Sequence, residues 1–297
     1  LILMTLQKKK IKMEIKASQV KELRDMTGVA MMECKKALVE CSGDIEKALD
    51  LLRSNSALKA EKKAARVAAD GVLRVHVGDD YSTLIEINSE TDFAAKDENF
   101  IKFADDVQKF ISENKLTDIS DIQASEVEDK RKALVQTIGE NIQLRRLETI
   151  EYSSEMNTSS YVHLDSKLGS IVVISGGDET LAKDIAMHVA AFNPLCLSEA
   201  EIDPEILERE KAIYMVQAEE SGKPQEIMEK MIEGKLKRFL SEVSLLSQNF
   251  VKDPDVTIQN LLDSNKAKIE SYIRLKVGEG IEVETKNFAD EVAEQLK

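Results

Sequence analysis

Apolar positions along this chain change period several times, and each change predicts a new element. Residues 18–53 carry three short helical stripes. Ser18 stands where an N-cap is expected, with Val20 and Leu23 on the inner face behind it. Thr27-Gly28 supplies a turn. The second stripe joins Ala30, Cys34, Ala37, Leu38 and Cys41 and stops at Ser42-Gly43. Asp44 is placed to cap a third helix, whose inner face is Ile45, Ala48, Leu49 and Leu52. Three helices this short bury little surface, so the unit is expected to dock on a neighbour or stay marginal. Residues 55–70 are rich in Lys and Ala and read as a helical linker.

A period of two begins at Gly71. Val72, Arg74 and His76 alternate with Leu73, Val75 and Val77; Gly78-Asp79-Asp80 turns the chain, and Thr83 to Ile87 returns it. After Asn88-Ser89-Glu90-Thr91-Asp92-Phe93-Ala94-Ala95-Lys96, a long amphipathic helix is expected from near Asp97. Its stripe is Phe100, Phe103, Ala104, Val107, Phe110 and Ile111. A further helix over 126–138 and a strand from Ile142 to Ile150 follow. A similar order then recurs. Tyr161 to Leu164 and Ser170 to Ile174 read as strands, and Gly176-Gly177-Asp178 turns into a helix with Leu181, Ile185, Ala186, Val189 and Ala190 inward. Asn193-Pro194 ends it. The echo suggests two related core halves, 71–152 and 153–280. Residues 205–242 break the pattern: two charged helices flank Gly222-Lys223-Pro224, an antiparallel helical hairpin projecting from the second half. Ile269 to Val277 returns as a strand, and Phe288 to Leu296 reads as a helix within a C-terminal module, 281–297. The predicted class is α+β with antiparallel sheets.

Composition narrows the function. The 297 residues carry a formal net charge of -14, which disfavours general attraction to nucleic acid or anionic lipid. No apolar run reaches membrane-spanning length. Cys34, Cys41 and Cys196 form no CxxC pair and read as buried reduced thiols, which fits a cytoplasmic protein without a metal site. Leu1 to Lys12 is apolar and then basic, lacks a clear cleavage site, and precedes a natural start at Met13-Glu14-Ile15; it reads as an upstream extension, with an organellar transit segment the weaker alternative.

Catalytic chemistry finds no support in the pattern. There is no GxxxxGK[ST] loop, and Gly176-Gly177 is explained by turn chemistry. His76, His163 and His188 are far apart, and no Ser or Cys motif marks a nucleophile. His188 falls inside a helix as a packed or edge residue, and His163 near a turn. No catalytic residue and no cofactor are expected.

Two places suggest contact with another protein. Asp92-Phe93 lies on a short connection between a strand and a helix, where a charge and an apolar wedge can be offered to a partner. The other reading makes Phe93 a core residue and Asp92 a cap. Met31 and Met32 point about 100° apart on a helix, so both cannot sit centrally in a small core. Either one is an exposed, adaptable contact residue or both seal a domain junction.

Taken together, the motifs resemble bacterial-type elongation factor Ts across essentially all of 13–297. The resemblance rests on Lys21-Glu22-Leu23-Arg24 through Thr27-Gly28, Met31-Met32-Glu33-Cys34-Lys35-Lys36-Ala37-Leu38, the Thr91-Asp92-Phe93 tip, and Gly139-Glu140-Asn141-Ile142 with Arg145-Arg146. It also rests on Ala186-Met187-His188-Val189-Ala190-Ala191, Ser221-Gly222-Lys223-Pro224, Glu242-Val243-Ser244-Leu245 and Val277-Gly278-Glu279-Gly280-Ile281-Glu282. Their order along the chain is the family's.

The resemblance implies a nucleotide-exchange factor for the GTPase elongation factor Tu, not an enzyme. It implies an amino-terminal three-helix module over 13–54 resembling ubiquitin-associated domains, a core of two halves, a helical hairpin and a C-terminal module. It places Thr91, Asp92 and Phe93 in the partner's nucleotide domain near its magnesium site. Arg24, Met31, Met32 and Lys35 match contacts with that domain, and Ile138, Gly139 and His163 match further contact positions. Val251 matches one near the C-terminal module. This chain departs from the family at Lys252, where an apolar residue is expected, and in a longer loop, His163 to Gly169. Leu1 to Lys12 has no family counterpart. No direct nucleic-acid or membrane contact is implied, and the hairpin is open to a homodimer or heterotetramer. The competing class is a non-catalytic adaptor that bridges proteins through the first helical module and the hairpin.

Overall fold

The computed structural model describes residues 15–282. The extension over 1–12, the start at Met13, the helix from Phe288 to Leu296 and the C-terminal module beyond residue 282 lie outside the described residues. Within them the fold is α+β with antiparallel sheets. No helix there is long and apolar enough to cross a membrane.

Three helices come first: α1 (Ala17–Thr27), α2 (Met31–Glu40) and α3 (Ile45–Lys63). Val20, Leu23, Val29, Cys34, Ala37, Leu38, Ala48 and Leu52 form their shared core. Ser18 is not the cap. Helix α1 starts one residue before it, because the Gln19 side chain reaches back to accept the Lys16 backbone N–H at 3.2 Å. Asp44 does cap α3, accepting the Lys47 N–H at 3.1 Å. Helix α3 runs on through the first part of the expected linker and ends at Lys63, so the linker is helical only in part and is continuous with the third helix. The Asn141 amide takes the carbonyls of Ala64 (3.3 Å) and Arg66 (2.8 Å), acceptors that a longer helix would need.

The first sheet has the order β1 (Asp70–Val77), β2 (Tyr81–Ser89), β3 (Ile142–Glu151), with β2 central. Between β2 and β3 the chain forms α4 (Asp92–Ala95), α5 (Glu98–Asn114), a short α6 (Ile119–Gln123) and α7 (Glu126–Ile138). Phe100, Phe103, Val107 and Ile111 of α5 pack on Val72, Ile85 and Ile87. Each such side chain contributes about 1.5–3 kcal/mol on burial. The second sheet repeats the connectivity with β4 (Asn157–Val162), β5 (Leu168–Ser175) and β8 (Lys268–Lys276), β5 central. Helix α8 (Glu179–Phe192) covers its outer face through Leu181, Ile185 and Val189 against Val172 and Ile174. The inner faces of the two sheets meet: Leu73, Leu84 and Ile150 of the first pack against Ile171, Val173 and Leu275 of the second. The layers therefore run helix, sheet, sheet, helix, and the two central strands are buried on both faces. In β5 this appears as the continuous apolar run Ile171 to Ile174, whereas β2 buries Ser82, Thr83, Glu86, Asn88 and Ser89 along with its apolar residues.

A β-bulge in β3 places Arg145 and Arg146 together against Glu86 of β2. The fully buried Glu86 carboxylate accepts Arg145 Nη1 at 2.9 Å, Arg146 Nη2 at 2.5 Å and the Gly278 N–H at 2.8 Å. Burial alone would raise this carboxyl; the Gly278 amide and the two arginines outweigh it and hold it below the usual range. The cluster ties the end of the second sheet to the first.

The inserted helices α9 (Pro204–Glu220) and α10 (Gln225–Val243) form the hairpin. Ala218 is the one buried residue of α9, and α10 has none, so the pair packs mainly on itself. After it, β6 (Asn249–Phe250), β7 (Asp253–Thr257) and α11 (Ile258–Ser264) lead to β8. The sequence pattern had not marked α6, β6, β7 or α11. All are short: β6 and β7 pair with each other across a tight turn, while Ile122 of α6 and Ile258 and Leu262 of α11 are buried in the two cores.

Candidate partner-binding site

Strand β2 ends at Ser89, and the next turn of chain is the candidate tip. Thr91 is the N-cap of α4: its Oγ1 accepts the Ala94 N–H at 3.3 Å. Ala94 and Ala95 turn inward and are buried, which leaves Phe93 on the outer side, 82% exposed. The alternative of Phe93 as a core residue with Asp92 as the cap does not hold. The inward positions of this single turn go to the two alanines, and the capping oxygen is Thr91's.

Asp92 is turned toward Lys96, with Oδ2 2.7 Å from Nζ. That hydrogen bond, helped by the positive charges of Lys96 and Lys167, holds the Asp92 carboxyl below its ordinary value, against a smaller opposing effect of burial. The tip therefore presents an ionised carboxylate beside an uncovered aromatic ring.

The tip is bound to the end of α7. Glu140 follows Gly139, the left-handed C-cap of α7. Its carboxylate accepts the Thr91 N–H at 3.0 Å and the Thr91 hydroxyl at 2.8 Å. Glu90 in turn accepts the Asn141 N–H at 2.6 Å. Lys63 donates to the Gly139 carbonyl, and Arg66 lies 3.4 Å from Glu90, so the end of α3 belongs to the same joint.

The first three helices approach from the other side of α7. Lys59 of α3 and Gln136 of α7 both donate to Glu33 of α2, at 2.6 and 3.1 Å. Met31 and Met32 are both exposed, 49% and 65%, so neither seals a junction. Val29, Cys34, Ala37 and Leu38 already fill the small core. Arg24 and Lys35 are exposed nearby in sequence. Met26 and Val39 are exposed too, and the pattern had not singled them out. Val39 lies seven residues after Met32, which puts both on one helical face, and that spacing was a signal available in the sequence.

Ile138 is half-buried against the first core, whereas Gly139 is open: a Cβ built there meets nothing within 4 Å. His163 is exposed in the β4–β5 loop, with Nδ1 3.0 Å from Asp165 Oδ1. This loop is docked on β1, since Ser166 O accepts the Leu73 N–H at 2.7 Å and Lys167 pairs with Asp70 at 2.8 Å. Leu164 at its apex is wholly exposed. Val251 stands apart from these groups. It is half-buried against the second core, and its N–H donates to His188 Nδ1 at 3.2 Å. The departure at Lys252 is accommodated by an ion pair with Asp184 at 2.6 Å. Among the described residues no three His, Cys, Asp or Glu side chains are grouped to hold a metal ion.

The family model described as Elongation factor TS matches residues 90–279. The chain belongs to the elongation factor Ts family. It is similar to Elongation factor Ts of Hahella chejuensis, 51% identical over 285 residues that cover 95% of this chain and 99% of that protein. It is likewise similar to Elongation factor Ts of Thioalkalivibrio sulfidiphilus, 47% identical over 96% of this chain and 99% of that one. The Francisella tularensis subsp. novicida protein of the same name is 49% identical, with 95% and 99% covered. The span matched by the elongation factor Ts model opens at Glu90, the residue that leads into the tip, and takes in Gly139, His163 and Val251.

Proposed function

We propose that this chain is a guanine-nucleotide exchange factor that binds elongation factor Tu and drives GDP release during translation elongation in the cytoplasm. The observation that carries this reading is the uncovered Phe93 ring on a braced turn, beside the ionised Asp92, in a chain of the elongation factor Ts family.

Exchange of this kind needs no bond-making group. By linkage, the factor weakens nucleotide binding by the ratio in which nucleotide weakens factor binding. A thousandfold loosening corresponds to about 4 kcal/mol of coupling. Burying one Phe side chain contributes about 1.5–3 kcal/mol. Phe93 alone is therefore insufficient, and a broad docking surface supplies the remainder and aims the tip. In this reading that surface comprises Arg24, Met31, Met32 and Lys35 on the first helices, Ile138 and Gly139 at the end of α7, His163 in the β4–β5 loop, and Val251. Phe93 prises apart packed elements of the partner's nucleotide domain. Asp92 adds negative charge where the partner holds a diphosphate and its magnesium, and loss of that cation removes the main local charge retaining the nucleotide.

The test is release of a fluorescent GDP analogue from loaded elongation factor Tu on mixing with the full chain. Acceleration that saturates with factor concentration is the expected result. An adaptor that bridges proteins through its helical module and hairpin would bind without accelerating release, and that outcome would overturn the exchange reading.

A further inference from the structure

We propose that Glu140 is a positioning residue that holds the Thr91-Asp92-Phe93 turn in its working orientation before the partner arrives; this deepens, and rests on, the wedge reading above. Helix α4 is a single turn of four residues, too short to hold itself in water. Phe93, being exposed, has no packing of its own to fix it. Ala94 and Ala95 seat the turn on the core. Its start is held by the Ser89 hydroxyl, which donates to the Thr91 carbonyl at 2.9 Å, and by two bonds from Thr91 to Glu140, a polar contact that comes from outside the β2–α5 segment.

The chemistry of the contact is specific. One Glu140 oxygen accepts the Thr91 backbone N–H at 3.0 Å, and the other accepts the Thr91 hydroxyl at 2.8 Å. Two bonds from one carboxylate to the backbone and side chain of a single residue fix that residue's orientation as well as its position. Because the hydroxyl proton is committed to Glu140, the Thr91 oxygen keeps a lone pair aimed at the Ala94 N–H, and the cap of α4 is set by the same contact.

The joint is reciprocal. Glu90 and Thr91 on one segment face Glu140 and Asn141 on the other. Each segment gives one backbone N–H and receives a carboxylate from the opposite side. The Asn141 side chain then spends its amide hydrogens on Ala64 O and Arg66 O, which anchors the second segment to the end of α3. Removing the Glu140 carboxylate leaves β2 and α5 intact and frees only the turn between them. The cost of ordering that turn would then fall on the step after docking, in which Phe93 is driven home.

The experiment uses full-length chains carrying Glu140→Ala, Glu140→Gln, Thr91→Val, Phe93→Ala and the Glu140→Ala/Thr91→Val pair. Release of fluorescent GDP from loaded elongation factor Tu is followed by stopped flow over a range of factor concentrations. Hydrogen exchange of the Thr91 and Ala94 amides in the free factor is measured alongside. Glu140→Ala is expected to lower the saturating release rate about tenfold, the scale of losing hydrogen bonds to a charged group. The half-saturating concentration should move by less than about twofold, since the docking surface is untouched. Both amides should lose protection while the thermal midpoint stays in place. Glu140→Gln, which keeps one acceptor oxygen, should fall between wild type and Ala, and the double variant should be no slower than the slower single one.

Wild-type saturating release by Glu140→Ala, or retained protection of both amides, would overturn the proposal; should that variant fold poorly, wild-type release by Thr91→Val overturns it equally. The wedge reading fails separately. Phe93→Ala releasing GDP at the wild-type rate sinks the wedge, whereas a slow Phe93→Ala beside a normal Glu140→Ala sinks only the brace.

Discussion

The two halves of the core solve the same connection in opposite ways. In each, the central strand of a three-stranded antiparallel sheet must hand over to the helix that covers it. From β5 the handover is tight: Gly176 and Gly177 take positive φ angles of 70° and 62°, and Asp178 at once caps α8. A Cβ on Gly176 would stand 2.2 Å from the Lys266 carbonyl, so this turn lies hard against the start of β8. From β2 the handover is longer. The chain inserts the α4 turn before Asp97 caps α5. That extra turn seats Ala94 and Ala95 on the first sheet, carries the uncovered Phe93 outward, and is braced from outside by Glu140. Similar scaffolds thus yield one tight corner and one projecting tip. The difference teaches that the candidate tip is an insertion into a connection that the other half makes without it.

The largest effect should come from cutting the tip's apolar group. Phe93→Ala is expected to slow stimulated GDP release about ten- to a hundredfold, from a loss of roughly 1.5–3 kcal/mol. Its urea midpoint should stay near wild type, because an exposed side chain contributes within about 0.5 kcal/mol to the fold. An unfolding midpoint that falls along with the rate would erase the contrast between the two connections.

The mirror experiment is Gly176→Val. With positive φ and a backbone carbonyl in the way, it should destabilise the fold by about 1–3 kcal/mol in urea. Release per folded molecule should be unchanged, and a specific exchange defect with normal stability would mean that the second corner also serves the partner.

Exchanging both Met31 and Met32 for Asp tests whether docking is separable from the tip. Calorimetry should show association weaker by about 1–2 kcal/mol. Unaltered affinity would remove the first helices from the docking surface.

The smallest effect concerns pH. His188 is fully buried, accepting the Val251 N–H at Nδ1 and lying 3.0 Å from Gln248 Oε1 at Nε2. Burial pushes its pKa below the ordinary 6.5, and the Gln248 bond opposes this only in part. Below pH 6.5 the unfolded chain binds the proton first, so stability falls as pH drops from 6.5 toward the depressed folded value, by less than about 1.4 kcal/mol per pH unit. Urea midpoints between pH 7 and 5 should show this slope in wild type and a reduced one in His188→Gln. An identical slope in both would assign the effect to other groups.

Much of this architecture is legible in the pattern of residues, and the reasons are local. The α5 stripe from Phe100 to Ile111, the cap at Asp44 and the turn at Gly176-Gly177 each depend on neighbours a few positions away. Ser18 misled because a Ser before an apolar stripe is a common cap, whereas here Gln19 does that work from inside the helix. The end of α3 was hidden because Lys- and Ala-rich chain favours helix, while the donor that claims the Ala64 and Arg66 carbonyls there is the distant Asn141 side chain.

The candidate site divides the same way. Alternation through β2 and the stripe of α5 bracket residues 88–97 as a connection, so the sequence alone located the tip, and its motifs in order identified the family. It left open whether Phe93 faces in or out, whether either methionine is covered, and what Glu140 does. Those matters were decided by tertiary structure, because burial is a property of what comes to lie opposite. Ala94 and Ala95 claim the inward face only because β1 and β2 stand behind them, and Glu140 meets Thr91 only because α7 returns the chain to the end of β2, 49 positions later.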